Sequence, residues 1–270
     1  MRADSPAKAF IVVLLVALLA SALVSTSVVL LRPIQLENRM LDLSRNVVRL
    51  SGLVPVDADL SDEELIARYR TLDLRVVDLG TGMFDTELDP YGFDPRKAAA
   101  DRDKNVAIPE SLDLARLRQR ARHARIYLVW DDLTLLRIIL PVYGVGMWST
   151  IYGYVVLEND FNTIADATFY EHAETPGIGD QITRPDWLAK WRGKKIFDER
   201  GALRFAVAVG PLDAESSAAL YQVDALTGAT VTADAVTALV HYWFGPHGFQ
   251  PMLKELQQHA PQPPVTEGGR

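Results

Sequence analysis

From Ala9 to Leu31 the chain carries no charged residue, and Lys8 and Arg32 bound the run. A helix of this length reaches about 35 Å at ~1.5 Å per residue, enough to cross a bilayer core with some tilt. Such a run admits a spanning helix or a cleaved leader, because backbone amides in hydrocarbon must be satisfied within the segment. Ala20-Ser21-Ala22 imitates a signal-peptidase site, but the apolar run continues past it to Leu31, so an uncleaved anchor is expected. Orientation is not given by charge. Arg2 and Lys8 precede the span while Arg32, Arg39, Arg45 and Arg49 follow it closely, so the positive-inside rule alone does not put the rest of the chain outside the cytoplasm.

The 270 residues leave room for one sizeable globular domain after the span. The expected division is 1–33 for tail and transmembrane helix, 34–260 for the domain, and 261–270 for a disordered Pro/Gly-rich tail. After Pro33, Leu36, Met40, Leu43, Val47 and Leu50 recur at helical spacing and suggest a juxtamembrane helix. Ser61-Asp62-Glu63-Glu64 has capping-box form and predicts a short helix to about Tyr69. The polar stretch from Asp85 to Asp103 reads as a surface loop, and Leu112 to His123 as basic and helix-favouring or simply a solvated face. Ile126 to Trp130, Leu135 to Leu140, Thr150 to Glu158 and Leu203 to Val209 are strand candidates rich in β-branched and aromatic residues. Helices flank these strands without regular βαβ alternation, which predicts an α+β domain with a mostly antiparallel sheet.

Two composition facts narrow the chemistry. A formal net charge of -7 argues against nucleic acid as a partner. The absence of cysteine removes disulfides, thiolate metal sites, iron–sulfur clusters and Cys-linked haem, so redox work would need an organic cofactor. The five histidines lack metal-ligand spacing, and His172 between Glu171 and Glu174 is better read as structuring its loop, so no metal is expected. No triad, paired-carboxylate site or P-loop stands out, and no catalytic residue is expected.

The stretch Asp224-Ala225-Leu226-Thr227-Gly228-Ala229-Thr230-Val231-Thr232 places three hydroxyls around a Gly-Ala pair. It runs directly into a patterned helix. Val236, Leu239, Val240, Trp243 and Phe244 share one face, Thr232 or Asp234 is the expected N-cap, and Gly245-Pro246 the stop. Thr230 then lies within about a turn of the helix start, where unpaired amides and the dipole favour a phosphate. An ordinary loop-to-helix junction fits the same local pattern.

Asp-x-x-Thr-Gly-Ala-Thr is similar to the flavinylation signal of proteins that carry FMN esterified through its phosphate to threonine. Three more segments extend the likeness: Pro141 to Gly153 with its Trp-Ser-x-x-Tyr-Gly run, Phe169 to Gly179 with His-x-Glu-Thr-Pro-Gly, and Trp187 to Lys195 with Trp-x-Gly-Lys-Lys. Together, from the anchor to about Phe244, the chain resembles the NqrC family of the sodium-translocating NADH:quinone reductase. The threonine signal and the His-x-Glu-Thr-Pro-Gly segment are shared with the corresponding flavin-bearing subunit of the related ferredoxin-linked, ion-translocating electron transport complex, which is one alternative. An anchored FMN-binding sensor domain is another.

The resemblance implies a single-pass protein of the bacterial inner membrane with its domain in the periplasm. It implies FMN joined to Thr230 by a flavin transferase, and electrons relayed between other subunits toward quinone while the complex exports sodium. Asp224 would serve recognition by the transferase or cap a turn. Thr227, Gly228, Ala229 and Thr232 would hold the phosphate. The loop Glu174-Thr175-Pro176-Gly177-Ile178 would offer backbone groups to the polar edge of the ring. Trp148, with space left by Gly144 and Gly146, would face the ring or lie in the core, and Lys195, with Lys194, would neutralise charge or stay a solvated turn.

Overall fold

The computed structural model describes residues 6–55, 58–210, 212–213 and 215–264. Its first element, α1 (Pro6–Ser51), is one continuous helix that runs through position 33 without a break. The stretch Ala7–Leu31 has a mean hydropathy of 2.7 and none of it is buried against protein, whereas Val47, Val48 and Leu50 at the other end are core residues. The boundary expected at residue 33 therefore falls inside an element. Next come α2 (Asp62–Arg70), started by Ser61 and Glu64 in a complete capping box, β1 (Asp73–Asp78), β2 (Phe84–Asp85) and α3 (Pro95–Ala100). β3 (Asn105–Ala107) and β4 (Gln119–Ala121) form a small ribbon, and β5 (His123–Asp131), β6 (Thr134–Val145), β7 (Thr150–Glu158) and β8 (Ile164–Glu171) form a meander. The chain closes with α4 (Pro185–Leu188), β9 (Ala206–Val207), β10 (Gln222–Val223), α5 (Thr230–Trp243) and α6 (Gln250–Gln258).

The main sheet has six strands in the order β2-β1-β5-β6-β7-β8, every neighbour antiparallel. Side chains alternate between its two faces, and both are buried. Ile126, Leu128, Ile138, Leu140, Val155 and Leu157 meet Val236, Leu239, Val240, Trp243 and Phe244 of α5, the face read from the sequence. Tyr127, Val129, Ile139, Tyr154 and Val156 on the other face meet Val47 and Leu50 of α1. Tyrosines thicken that second layer. Tyr154 stacks on Tyr170 with centroids 5.2 Å apart, and burial pushes the Tyr154 phenol well above its ordinary range and Tyr170 up to about 12.

Several local expectations need correction. The stretch from Asp85 to Asp103 is not only loop. Asp94 accepts from the Arg96 and Lys97 amides and starts α3. Leu112 to His123 is not a helix, because the Asp113 carboxylate takes the Leu117 and Arg118 amides at 2.7 Å each and turns the chain into β4. Of Leu203 to Val209 only Ala206–Val207 is strand, and it pairs parallel with β10. β1 and β8 were not anticipated. Residues 261–264 are irregular, and the remainder of the expected tail lies outside the described residues.

Candidate functional site

Three segments far apart in sequence meet where α5 begins: the β6–β7 turn, the loop after β8, and the junction at Thr230. The turn closes through the Gly146 amide on the Ser149 carbonyl at 2.8 Å. The loop coils on itself as the Thr175 carbonyl accepts from the Ile178 and Gly179 amides at 3.1 and 3.0 Å. His172 does structure that loop, its Nδ1 accepting from the Glu174 amide at 3.2 Å. Turn and loop are joined by the Trp148 indole N–H, which donates to the Thr175 hydroxyl at 3.0 Å. Loop and junction are joined by Gln181, whose side-chain amide donates to the carbonyls of Ile178 at 2.7 Å and Thr227 at 3.1 Å.

Thr230 is the first residue of α5 and is exposed. Ala229 precedes it and no side chain caps the helix, so the first-turn amides of Thr230, Val231 and Thr232 have no intrahelical partner and are free to meet an anion. The expected caps are thereby corrected. Thr232 is third in the helix and 2 % exposed, its hydroxyl donating to the Glu174 carboxylate, so it points inward and not at a phosphate. Asp234 lies a turn further on and is exposed.

The segments that meet here expose apolar side chains. Trp148 is 67 %, Val231 50 % and Ile178 45 % exposed, and Met147 is also exposed. Gly177 and Gly228 sit at φ +76° and +75°, a backbone that favours glycine, and a Cβ on either would meet nothing within 4 Å. An open apolar floor beside an exposed hydroxyl and a set of unpaired amides suits a flat ring on a phosphate tail, which is the shape of FMN.

The structure brings together Thr227, Gly228, Ala229, Thr230, Thr175, Pro176, Gly177, Ile178 and Trp148, places Thr232 and Lys195 away from the expected roles, and gives the Asp224 and Glu174 side chains protein partners. Trp148 is not in the core, yet the glycines before it leave no slot either. A Cβ at Gly144 would strike Leu239 at 2.7 Å, and one at Gly146 would strike the Glu174 carboxylate at 2.4 Å, so protein fills both spaces. Glu174 is 4 % exposed and its carboxylate faces inward, accepting from the Met147 amide at 2.9 Å. Asp224 pairs with Lys190, and its carbonyl accepts from the Trp187 indole at 2.9 Å. Lys195 is elsewhere: it bridges to Thr163 before β8 and lies near Asp160, at the end of that strand remote from the Glu174 loop. Eight residues of strand separate the two ends, about 25 Å. Gln181, Lys190 and Trp187 were missed, since their partners lie dozens of residues away and no local pattern marks them.

Comparison with known proteins gives a consistent picture. Residues 146–245 match the family model described as FMN-binding domain, a span that holds all three segments. The Na(+)-translocating NADH-quinone reductase protein NqrC of Pseudomonas aeruginosa is 40% identical over 94% of this chain and 97% of its own. The protein of the same name from Neisseria meningitidis serogroup B is 37% identical over 96% of this chain and 97% of its own. Among solved structures, Shewanella oneidensis NqrC superposes with a TM-score of 0.72 at 35% identity, covering 80% of this chain and 96% of that one.

Proposed function

The chain belongs to the NqrC family of the Na(+)-translocating NADH-quinone reductases, and on that premise we propose how it holds its flavin. It is an electron-transfer subunit of a larger oxidoreductase complex with an FMN-binding domain, which sets aside the ferredoxin-linked relative and a non-redox sensor. The FMN is carried as a phosphoester on the Thr230 hydroxyl, with its ring against Trp148, Ile178 and Val231. What carries this reading is the exposed threonine at the head of an uncapped helix, bordered by open apolar surface.

Attachment would form the Thr230 Oγ1–phosphorus bond as the phosphoanhydride bond of FAD breaks. AMP leaves, and the hydroxyl proton passes to a base of the transferase. The first-turn amides of α5 would hold the phosphate, at the positive end of the helix dipole. Bound FMN supplies the redox chemistry. The chain orients it and, through the ester, keeps it at the site across many cycles. The reading includes α1 as the inner-membrane anchor with the domain in the periplasm, and sodium export as work of the whole complex. The span carries no ionisable residue of its own with which to conduct an ion.

The test is coexpression of the full chain with a flavin transferase, read as flavin fluorescence in a denaturing gel and by peptide mapping. Thr230→Val should be unlabelled beside a labelled parent, fold normally, and abolish quinone reductase activity of the assembled complex. Label that persists in the variant removes Thr230 as the attachment point.

A further inference from the structure

We infer that Glu174 is a positioning residue, setting the geometry and charge of the flavin site through Thr232 and the Trp148 turn without touching the cofactor. The inference rests on the covalent-flavin reading above. Its basis is an arrangement that the loop's turn chemistry does not require. The Glu174 carboxylate is almost wholly buried and takes three donors: the Met147 amide at 2.9 Å, the Trp148 amide at 3.4 Å and the Thr232 hydroxyl. A carboxylate is costly to bury unless its oxygens are bonded, so this one is held by what it joins.

What it joins are the two sides of the site. Trp148 belongs to the apolar floor, and Thr232 lies on the first turn of α5, two residues after Thr230. The surroundings are shaped for this side chain. A Cβ on Gly146 would come within 2.4 Å of its Oε1, and a Cβ on Gly179 within 2.8 Å of the Thr232 hydroxyl and 2.9 Å of the Glu174 Cβ. With the clasp closed, the first turn of α5 is fixed in height and rotation relative to the Met147–Trp148 backbone, and with it the backbone position of Thr230. The carboxylate also places a negative charge behind the floor, shielded from water, where it opposes the negative charge a flavin gains on reduction.

Two near-isosteric variants separate these roles. Thr232→Val cuts the link to α5 and leaves the charge, while Glu174→Gln removes the charge and keeps an oxygen for the Met147 and Trp148 amides. Full-length protein would be tested for rate of covalent labelling with purified transferase and FAD, for midpoint potential of the attached FMN by redox titration, and for melting of the unlabelled form. Thr232→Val is expected to slow labelling about tenfold, as misplacement of a reacting group does. Glu174→Gln is expected to raise the FMN midpoint. Parental labelling rate in the first together with parental midpoint in the second would overturn the inference, as would slowing no greater than the unfolded fraction explains. A parent that never acquires label instead defeats the covalent reading on which the inference rests.

Discussion

Trp148→Ala tells a ring platform from a structural indole. The side chain is 67 % exposed. Folding therefore removes only about 80 Å² of the roughly 250 Å² a tryptophan presents. At ~25 cal/mol per Å² this contributes about 2 kcal/mol as an upper figure, since the unfolded chain already buries part of it. Its hydrogen bond to Thr175 lies at the surface and adds about 0.5 kcal/mol. The unlabelled variant should therefore lose about 1–2 kcal/mol, which for a domain of this size lowers the melting temperature by roughly 2–8 °C. A flavin lying on the indole would bury part of the remaining face and add an aromatic pair of about 0.5–1.5 kcal/mol. The loss in labelled protein should then exceed the loss in unlabelled protein by about 1–3 kcal/mol. Four melts supply the answer, parent and variant each with and without flavin, because the difference of differences isolates the contact from the indole's structural role. Equal losses in both pairs would show that the ring does not rest on Trp148.

Gly144→Ala should destabilise by about 1–3 kcal/mol through overpacking against Leu239 and Ala115, and because Leu239 rides on the helix that bears Thr230, labelling should slow as well; a melt within 1 °C of the parent, about a third of a kcal/mol, would contradict the packing. Lys195→Ala should leave labelling rate and flavin midpoint at parental values, since this lysine sits beside the β7–β8 turn; a clear drop in either would return it to the site. Stability should fall in alkali. The buried Tyr154 and Tyr170 phenols hold their protons above the roughly pH 10 at which the unfolded chain releases them. Their contribution is complete below that point and is lost as pH rises toward the Tyr170 value of about 12. Melting temperatures that stay flat over that window, followed beside phenolate absorbance, would count against it.

What the sequence made legible was local. Strand β7 covers the stretch dense in β-branched and aromatic residues, and the apolar face of α5 follows from 3.6-residue spacing alone. The capping box at Ser61 is a four-residue device and is found as expected. Strand β8 was opaque because Ala165, Asp166, Ala167 and Thr168 interrupt its apolar pattern, although its neighbours supply the missing burial. Leu112 to His123 left both a helix and a solvated face open. Its composition favours a helix, but one carboxylate capturing two backbone amides decides the conformation. In the site, Thr230 was visible as a residue at a helix start. That Thr232 and Glu174 face each other was not, since they are 58 positions apart and each has a plausible outward role. Glycine misled in the same manner: at 144 and 146 it admits a neighbouring side chain, not a ligand.

The architecture also constrains how Thr230 can move. α1 does not hand over to a linker before the domain begins; its last turns, with Val47 and Leu50, are part of the core on one face of the sheet. The other face carries α5 and therefore Thr230. α1 and Thr230, the proposed attachment point, are thus joined through close-packed layers, α1 to sheet to α5. Packed cores deform little, so with α1 as the proposed anchor Thr230 would move relative to a bilayer chiefly with the whole domain, by tilting or bending of α1. The loops at the site set a different and smaller freedom, that of the ring on its ester tether, and the links through Gln181 and Glu174 lie where they would limit it. On the proposed reading, a flavin at Thr230 would change its distance to partners chiefly with the domain as a body, while the links at the site would hold the surroundings of its ring.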